Sequence, residues 1–340
     1  MRLAILAHEK FPERAKTGLG VLRYSDDEVV ALLDRDNPGR EVNDFVADVQ
    51  NAPIVSSMGD LDLERIDTLL IGISPIGGAF DETWREDVRT ALEAGCDLIA
   101  GLHYFLNDDE EFAALADEHG CDIWDVRKPH DELTVAEGVA RDLDAEIILT
   151  VGTDCSVGKM TTTMELARDA SEAGYDVAVI PTGQTGIMIE GWGNPVDRVV
   201  SDFTAGAVEE MLVEKADDYD YLFVEGQGSI VHPAYSGVTC GILHGSMPDS
   251  LVLCHRANQE VIHSYESYSM PPMQTYVDLY EGLAEPVHPT TVRAGALNTA
   301  GLEEEVAREA IEDYGEALGP DVPVTDVIRE GTDDLLEVLL

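Results

Sequence analysis

The sequence predicts an α/β protein built from two parallel-sheet domains, and three observations carry that prediction. Short apolar, β-branched runs alternate with amphipathic helical stretches almost from end to end, the pattern of βαβ units. A polar, charged stretch at 127–144 interrupts the alternation once, and a second series begins after it. With 340 residues, 44% of them hydrophobic, the chain can fill two cores rather than one.

Taken in order, the expected strands of the first series are residues 3–7, 28–34, 53–56, 68–74, 97–100 and 122–126. Residues 81–94 read as a helix, with Thr83 and Glu86 spaced as a capping box and Gly95 ending it. The stretch 8–27 holds Gly18 and Gly20 but no complete GxGxxG, so the dinucleotide fingerprint is missing. The glycine turn from Gly72 to Gly78 reads as a tight strand-to-helix turn, with an anion cradle as the alternative. In the second series the expected strands are 146–151, 176–180, 221–225, 250–254 and 275–278, separated by helices at 158–173, 203–216 and 258–268. A strand near 322–328 and a helix near 333–339 close the chain, and no internal repeat or low-complexity segment is visible.

Charge narrows the function. Sixty-eight acidic against 21 basic residues give a net charge of −47, spread along the whole chain. Such a surface suits molar salt, where self-repulsion is screened within a few ångströms, and it implies a halophilic host. No basic stripe exists to neutralise phosphates, so a nucleic-acid partner is not expected. No stretch approaches the ~20 apolar residues of a membrane span. The opening MRLAILAHEK reads as a buried strand rather than a signal peptide. The cysteines, Cys96, Cys121, Cys155, Cys240 and Cys254, are scattered, without metal-ligand spacing; reduced thiols, a cytoplasmic location and no bound metal are expected. Lysine is rare, with Lys10, Lys16, Lys128, Lys159 and Lys215 the full set, which directs attention to Lys159 and Lys16.

The strongest local signal is EIILTVGTDCSVGKMTTTMELA at 146–167: a β-branched strand, a glycine-containing loop and a helix. Successive backbone N–H groups in such a loop form an anion nest, and the helix dipole adds positive potential. Gly152, Thr153, Asp154, Cys155, Ser156, Val157, Gly158, Lys159, Met160 and Thr161 are the expected phosphate-binding residues, with Lys159 as the point charge. Two features depart from GxxxxGK[ST]. Five residues separate Gly152 from Gly158, and Met160 stands where a Ser or Thr would ligate Mg²⁺. Thr161 follows, but one residue along a helix rotates a side chain by about 100°. Downstream, Glu225 ends an apolar strand and is a candidate metal holder or general base, and His232 a candidate acid or base. Asp202 is a third catalytic candidate, or a cap for the helix from 203. Gln184 and Thr185, after the second strand, are candidate ligand contacts.

The run GTDCSVGKMTT resembles the longer phosphate loop of dethiobiotin synthetase and its relatives. Together with DRVVSDFTAGAVE, VEGQGSIVHPAYSGVTCGILHG and ALNT, and with AKTGLGVLRY, GLHYFL and DVRKP in the first half, it resembles a prokaryotic family long labelled a domain of unknown function. The resemblance implies a Rossmann-like N-terminal domain over 1–130 and a P-loop NTPase-like domain over 131–340. It also implies D-glutamate N-acetyltransferase activity, with acetyl-CoA as donor and an enolase-superfamily enzyme and a homo-oligomer as partners. Coenzyme A carries a diphosphate, and acetyl transfer needs no Mg²⁺-binding hydroxyl, so Met160 is compatible with that chemistry. A base for the amine and donors for the oxyanion are required. For the carboxylates of the substrate, Arg127, Lys128, Arg198, Arg23, Lys16 and Arg293 are the available cations. Two alternatives stay open on the residues alone: an ATP- and Mg²⁺-dependent ligase or carboxylase of dethiobiotin-synthetase type, and a non-catalytic nucleotide sensor.

Overall fold

A computed structural model describes residues 1–75 and 77–340; Ile76, inside the 72–78 glycine turn, lies outside the described residues. The chain divides into two units, Met1–Pro129 with Gln184–Pro195, and His130–Gly183 with Val196–Leu340. Among the described residues, no helix is long and apolar enough to cross a membrane.

In the first unit the elements are β1 (Arg2–Leu6), α1 (Lys16–Tyr24), β2 (Glu28–Leu33), β3 (Ile54–Val55), β4 (Thr68–Ile71), α2 (Arg85–Glu93), β5 (Asp97–Ala100), α3 (Glu110–His119) and β6 (Ile123–Asp125). They form a six-stranded sheet in the order β3-β2-β1-β4-β5-β6, with each pairing parallel. A parallel sheet covered on both faces needs continuous apolar strands, and β4 (TLLI) is buried at all four positions. The core gathers Ile5, Leu32, Leu70, Leu98, Trp84 and Phe112. The helix after β4 starts differently from the expected capping box. The Asp81 side chain accepts the Thr83 N–H, a short 3-10 turn spans Glu82–Trp84, and α2 follows. Asp81 is two residues nearer the strand than Thr83 and reaches the orphan amide first.

In the second unit β7 (Glu146–Gly152) leads into α4 (Lys159–Glu172) and β8 (Val177–Ile180). The chain then supplies α5 (Gln184–Glu190) to the first unit, where it packs on α1. It returns with α6 (Thr204–Lys215), β9 (Tyr221–Val224), α7 (Ser236–Ser246), β10 (Ser250–Arg256), β11 (Val261–Ile262), β12 (Tyr265–Ser269), α8 (Met273–Ala284), β13 (Thr291–Asn298), α9 (Glu304–Leu318), β14 (Val324–Thr325) and α10 (Asp333–Leu339). The sheet order is β14-β13-β10-β7-β9-β8, again parallel throughout.

Two expected elements are corrected here. Residues 258–268 form most of the β11–β12 antiparallel hairpin rather than a helix. Residues 275–278 lie inside α8 rather than in a strand: Tyr276 and Tyr280 are four apart and both fully buried, so helical periodicity wins over the β propensity of Thr-Tyr-Val. Asp202 does not cap α6, which has no side-chain cap; it sits in a 3-10 turn at Ser201–Phe203.

Candidate functional site

The site is the crest of the second sheet, where β7 ends and α4 begins. Both flanking strands help shape the loop. Thr153 donates its backbone N–H to the Cys254 carbonyl of β10 at 3.0 Å, and its hydroxyl lies 2.8 Å from His255 Nδ1. On the other side, the Gly226 N–H bonds to Thr150 Oγ at 3.2 Å, and a side chain at Gly226 would meet the Thr150 carbonyl at 1.7 Å. Only glycine lets the chain after β9 pass this close to β7.

The loop then turns outward. Ser156 (φ 58) and Gly158 (φ 115) adopt left-handed backbone. Among the described residues, the amides of Ser156, Val157 and Gly158 have no acceptor. Three successive unpaired N–H groups at the start of a fourteen-residue helix are the nest that an anion fills. Lys159 is buried, and its ammonium donates to the carbonyls of Asp154 and Gly228, each at 2.8 Å. Its positive charge is therefore held at the base of the nest by loop carbonyls.

The hydroxyls after Lys159 point elsewhere. Thr163 donates to the Lys159 carbonyl at 3.0 Å and meets Thr150 Oγ at 2.8 Å; Thr162 accepts from the Cys254 thiol at 3.5 Å. Burial pushes that thiol up to about 11, so it stays a neutral donor. Met160 is buried, and Thr161 is half-buried.

Asp154, fully buried, ties the loop to the β11–β12 hairpin. One carboxylate oxygen takes the Cys155 N–H at 2.6 Å; the other takes the His263 N–H at 2.6 Å and the Gln259 amide. His232 lies beside it, its Nε2 3.9 Å from Asp154 Oδ1. The Ala234 N–H donates to His232 Nδ1 at 3.1 Å, so in the neutral ring the proton sits on Nε2. That Nε2–H is buried and has no partner among the described residues. Asp154, Cys155 and His232 present their ligand-type atoms within 4.8 Å of one another. In this tautomer Nε2 has no lone pair to offer a cation, and the ring instead supplies a hydrogen-bond donor beside the nest. Tyr235 stacks on it at 4.6 Å and Tyr265 meets it edge-on at 5.2 Å, which fixes its plane.

Glu225, at the end of β9, is buried; its Oε2 accepts the N–H groups of Thr182 (3.2 Å) and Gly183 (3.0 Å), and its carbonyl takes the Thr182 hydroxyl at 2.6 Å. It thereby holds the turn after β8. Gln227 reinforces the same turn through the Thr182 carbonyl at 2.6 Å.

The remaining expected site residues make other bonds. Gln184 and Thr185 belong to the first unit, where the Thr185 and Thr17 hydroxyls meet at 3.0 Å and the Gln184 amide donates to Ser74 at 3.4 Å. Arg127, also in the first unit, is buried and donates to the Gly101 carbonyl at 2.8 Å, while Lys128 is exposed. Arg198 is exposed in the short turn Val196–Arg198, and Asp202 is exposed a few residues on. One contributor was missed. Tyr280 of α8 donates to the Gly152 carbonyl at 2.7 Å and accepts the Ile230 N–H at 3.1 Å, so a phenol buttresses the loop from below. Its only sequence signal is the i, i+4 spacing with Tyr276.

Residues 134–336 match the domain of unknown function described as the DUF1611_C P-loop domain, and residues 35–129 match the DUF1611_N Rossmann-like domain. The chain is similar to a D-glutamate N-acetyltransferase of a Pseudoalteromonas species, 35% identical over 270 residues, covering 79% of this chain and 80% of that protein. A D-glutamate N-acetyltransferase of Tritonibacter scottomollicae is 37% identical over 273 residues, covering 80% of each. A crystal structure of a DUF1611 family protein from Anabaena variabilis superposes with a TM-score of 0.93 at 41% identity, over 99% of this chain and 98% of that one.

Proposed function

The chain belongs to the DUF1611 family, and from that membership we propose that it is an N-acetyltransferase moving an acetyl group from acetyl-CoA to the amino group of D-glutamate or a similar acidic amino acid. The observation that carries the reading onto this chain is the phosphate nest without a hydroxyl presented for Mg²⁺. Ser156, Val157 and Gly158 offer free amides, while Thr162 and Thr163 turn their hydroxyls into the core and Met160, which follows Lys159, has no hydroxyl. Such a loop suits a diphosphate that is held but not cleaved. The same residues weaken the ATP-dependent ligase reading, which has only half-buried Thr161 left as ligand.

The chemistry requires that the substrate ammonium lose a proton before its nitrogen attacks the thioester carbonyl. A C–N bond forms, the C–S bond breaks, and the thiol leaves. Of the two candidate bases, His232 keeps its proton on Nε2 and serves as a donor to an anion, whereas Glu225 has oxygens that accept. We assign proton acceptance to Glu225 on that ground, and phosphate contacts to Lys159, the loop amides and His232. Arg127, Lys128 and Arg198 are the proposed partners of the substrate carboxylates. The acidic surface supports activity in molar salt inside the cytoplasm, and the family resemblance extends the proposal to a homo-oligomer working beside an enolase-superfamily enzyme.

Thiol release from acetyl-CoA by purified protein in molar KCl, with D-glutamate, L-glutamate or no amino acid, tests the reading. Release that requires D-glutamate is the expected result; no release with any amino acid, alongside tight Mg²⁺-ATP binding, rejects it. Glu225→Gln separates the two roles of that residue. A base lost from the reaction lowers kcat by about 10²–10⁴ at unchanged KM. Near-normal kcat with a lower melting temperature would leave Glu225 as the group that holds the turn at Thr182 and Gly183.

A further inference from the structure

Beside the phosphate loop lies a cavity of about 510 Å³, within the second unit, and no motif read from the sequence accounts for it. Its walls are Cys155 and Ser156 of the loop, Arg256 to Gln259 after β10, the β11–β12 hairpin around His263, and the end of β13 from Asn298. The hairpin wall is not loosely attached, because Asp154 receives the His263 N–H and the Gln259 amide. The Ala257 N–H donates to the Asn298 carbonyl at 3.1 Å, which closes the floor. A ligand whose phosphates fill the nest at 156–158 therefore has a ready-made space next to them of nucleoside size, with both polar and apolar walls.

One wall residue stands out electrostatically. Arg256 is exposed and, among the described residues, its guanidinium has no hydrogen bond or ion pair. Acids outnumber bases by 68 to 21, and many arginines are bound to acids: Arg2 to Asp67, Arg35 to Asp87, Arg85 to Asp109, Arg89 to Glu111. The contrast with another cavity is direct. Arg308 and Arg329 line that one together with three carboxylates, Glu304, Glu305 and Glu330, whereas Glu266 is the one carboxylate lining the cavity of Arg256. An unpaired guanidinium in a cavity contiguous with a phosphate loop is suited to a second, separate phosphate.

We propose that this cavity takes the adenosine end of coenzyme A and that Arg256 recognises its 3′-phosphate, which distinguishes the acetyl donor from ordinary adenylates. The inference rests on the acetyl-CoA reading above and adds a specificity-determining residue to it. A 3′-phosphate is absent from ATP and ADP, so the nest would supply general diphosphate affinity and Arg256 the choice of donor.

The test compares acetyl-CoA with acetyl-3′-dephospho-CoA, for the native protein and for Arg256→Gln, at one KCl concentration. Equal melting temperatures show that the exposed side chain was removed without unfolding. The native protein is expected to favour acetyl-CoA by about tenfold or more in kcat/KM, mostly through KM. Arg256→Gln is expected to bring acetyl-CoA down to the dephospho level while leaving acetyl-3′-dephospho-CoA unchanged. Equal use of both donors by the native protein, or a parallel loss for both in the variant, overturns the proposal. Should neither donor support turnover with D-glutamate, the acetyltransferase reading itself falls, and equilibrium binding of CoA against 3′-dephospho-CoA still decides Arg256. A preference for CoA that disappears in the variant upholds the site, and equal affinities remove it.

Discussion

Each unit has a central strand that runs into a loop and then a helix, β1 into α1 and β7 into α4, and the two loops are tied down in different ways. After β1 the loop bonds to itself and to its neighbours: Glu9 N–H goes to Asp34, Lys10 and Phe11 to the Ala7 carbonyl, and Arg14 to the Lys10 carbonyl. Side chains there pair as well, with His8 Nε2 3.0 Å and Arg35 3.3 Å from the buried Asp87 carboxylate, and the Met58 N–H at 2.8 Å. After β7 the amides at 156–158 have no acceptor among the described residues. A glycine in each unit marks the same difference. At Gly72 a Cβ would meet Ile5 Cγ2 at 2.5 Å, so the glycine serves helix-to-sheet packing through Gly18, whose N–H bonds to the Gly72 carbonyl at 2.9 Å. At Gly158 the glycine serves the turn itself: its φ of 115 is left-handed, and a Cβ there would meet Asn298 no nearer than 3.8 Å. Amides without an acceptor among the described residues stand at both helix starts, at Ala15 to Thr17 as well as at Ser156 to Gly158; what separates the crests is the lysine, exposed at 16 and buried at 159 between two carbonyls.

The largest effect that would break this comparison is on lysine. Lys159→Ala is expected to reduce kcat/KM for acetyl-CoA by about 10³, because a charge at a phosphate nest has no substitute nearby. Lys16→Ala, at the exposed start of α1 in the first unit, is expected to change it less than about twofold. Matching losses would mean that both crests bind ligand. A melting curve on each variant separates lost binding from lost structure, since Lys159 also bridges two carbonyls.

A smaller effect is expected at the closed crest. Burial pushes the Asp87 carboxyl up, but His8, the Met58 amide and Arg35 outweigh it and hold it below the usual range. Its stabilising contribution is thus present above the unfolded-state value near 4 and is lost as pH falls through the lower native one. Asp87→Asn should cost about 3 kcal/mol in denaturant unfolding at neutral pH, the range for breaking a buried pair. It should also flatten the acid limb of the stability profile. A cost below about 1 kcal/mol would show that the first crest is not held by this cluster.

How much of this was legible in sequence follows from how local each cause is. The phosphate loop was legible because its strand, glycines, lysine and helix are contiguous, and backbone amides need no distant partner. The inward turn of Thr162 and Thr163 was half legible: Met160 flagged it, but Cys254 and Thr150 come from neighbouring strands. Tyr280 was not legible, since its bond to Gly152 spans 128 residues and depends on α8 being a helix. The hairpin at 261–269 replaces most of the helix expected at 258–268; its short, polar strands bury little and leave no clear period of two in the sequence. Gln184 and Thr185 follow β8, which suggested the crest of the second sheet, yet α5 packs on α1 in the first unit. The affiliation of a short helix is a tertiary fact that no local pattern records.

The smallest effect probes the strand beside the open crest. His255, on β10, accepts or donates at Thr153 Oγ and lies 5.4 Å from the Tyr314 ring; burial lowers it to about 4. A histidine near 6.5 when unfolded and about 4 when native binds its proton more readily in the unfolded chain over that interval. Stability from this residue is therefore complete above pH 6.5, declines as pH falls toward 4, and changes no further below that. Because the side chain is only partly shielded, about 2 kcal/mol is the expected span. Many carboxylates titrate in the same window, so the comparison is the difference between the native protein and His255→Gln, which preserves a partner for Thr153. The variant should lose less stability than the native protein between pH 6.5 and 4. If the two profiles run parallel, His255 is solvated in the native state, and the wall it forms against Thr153 is looser than the closed cluster around Asp87.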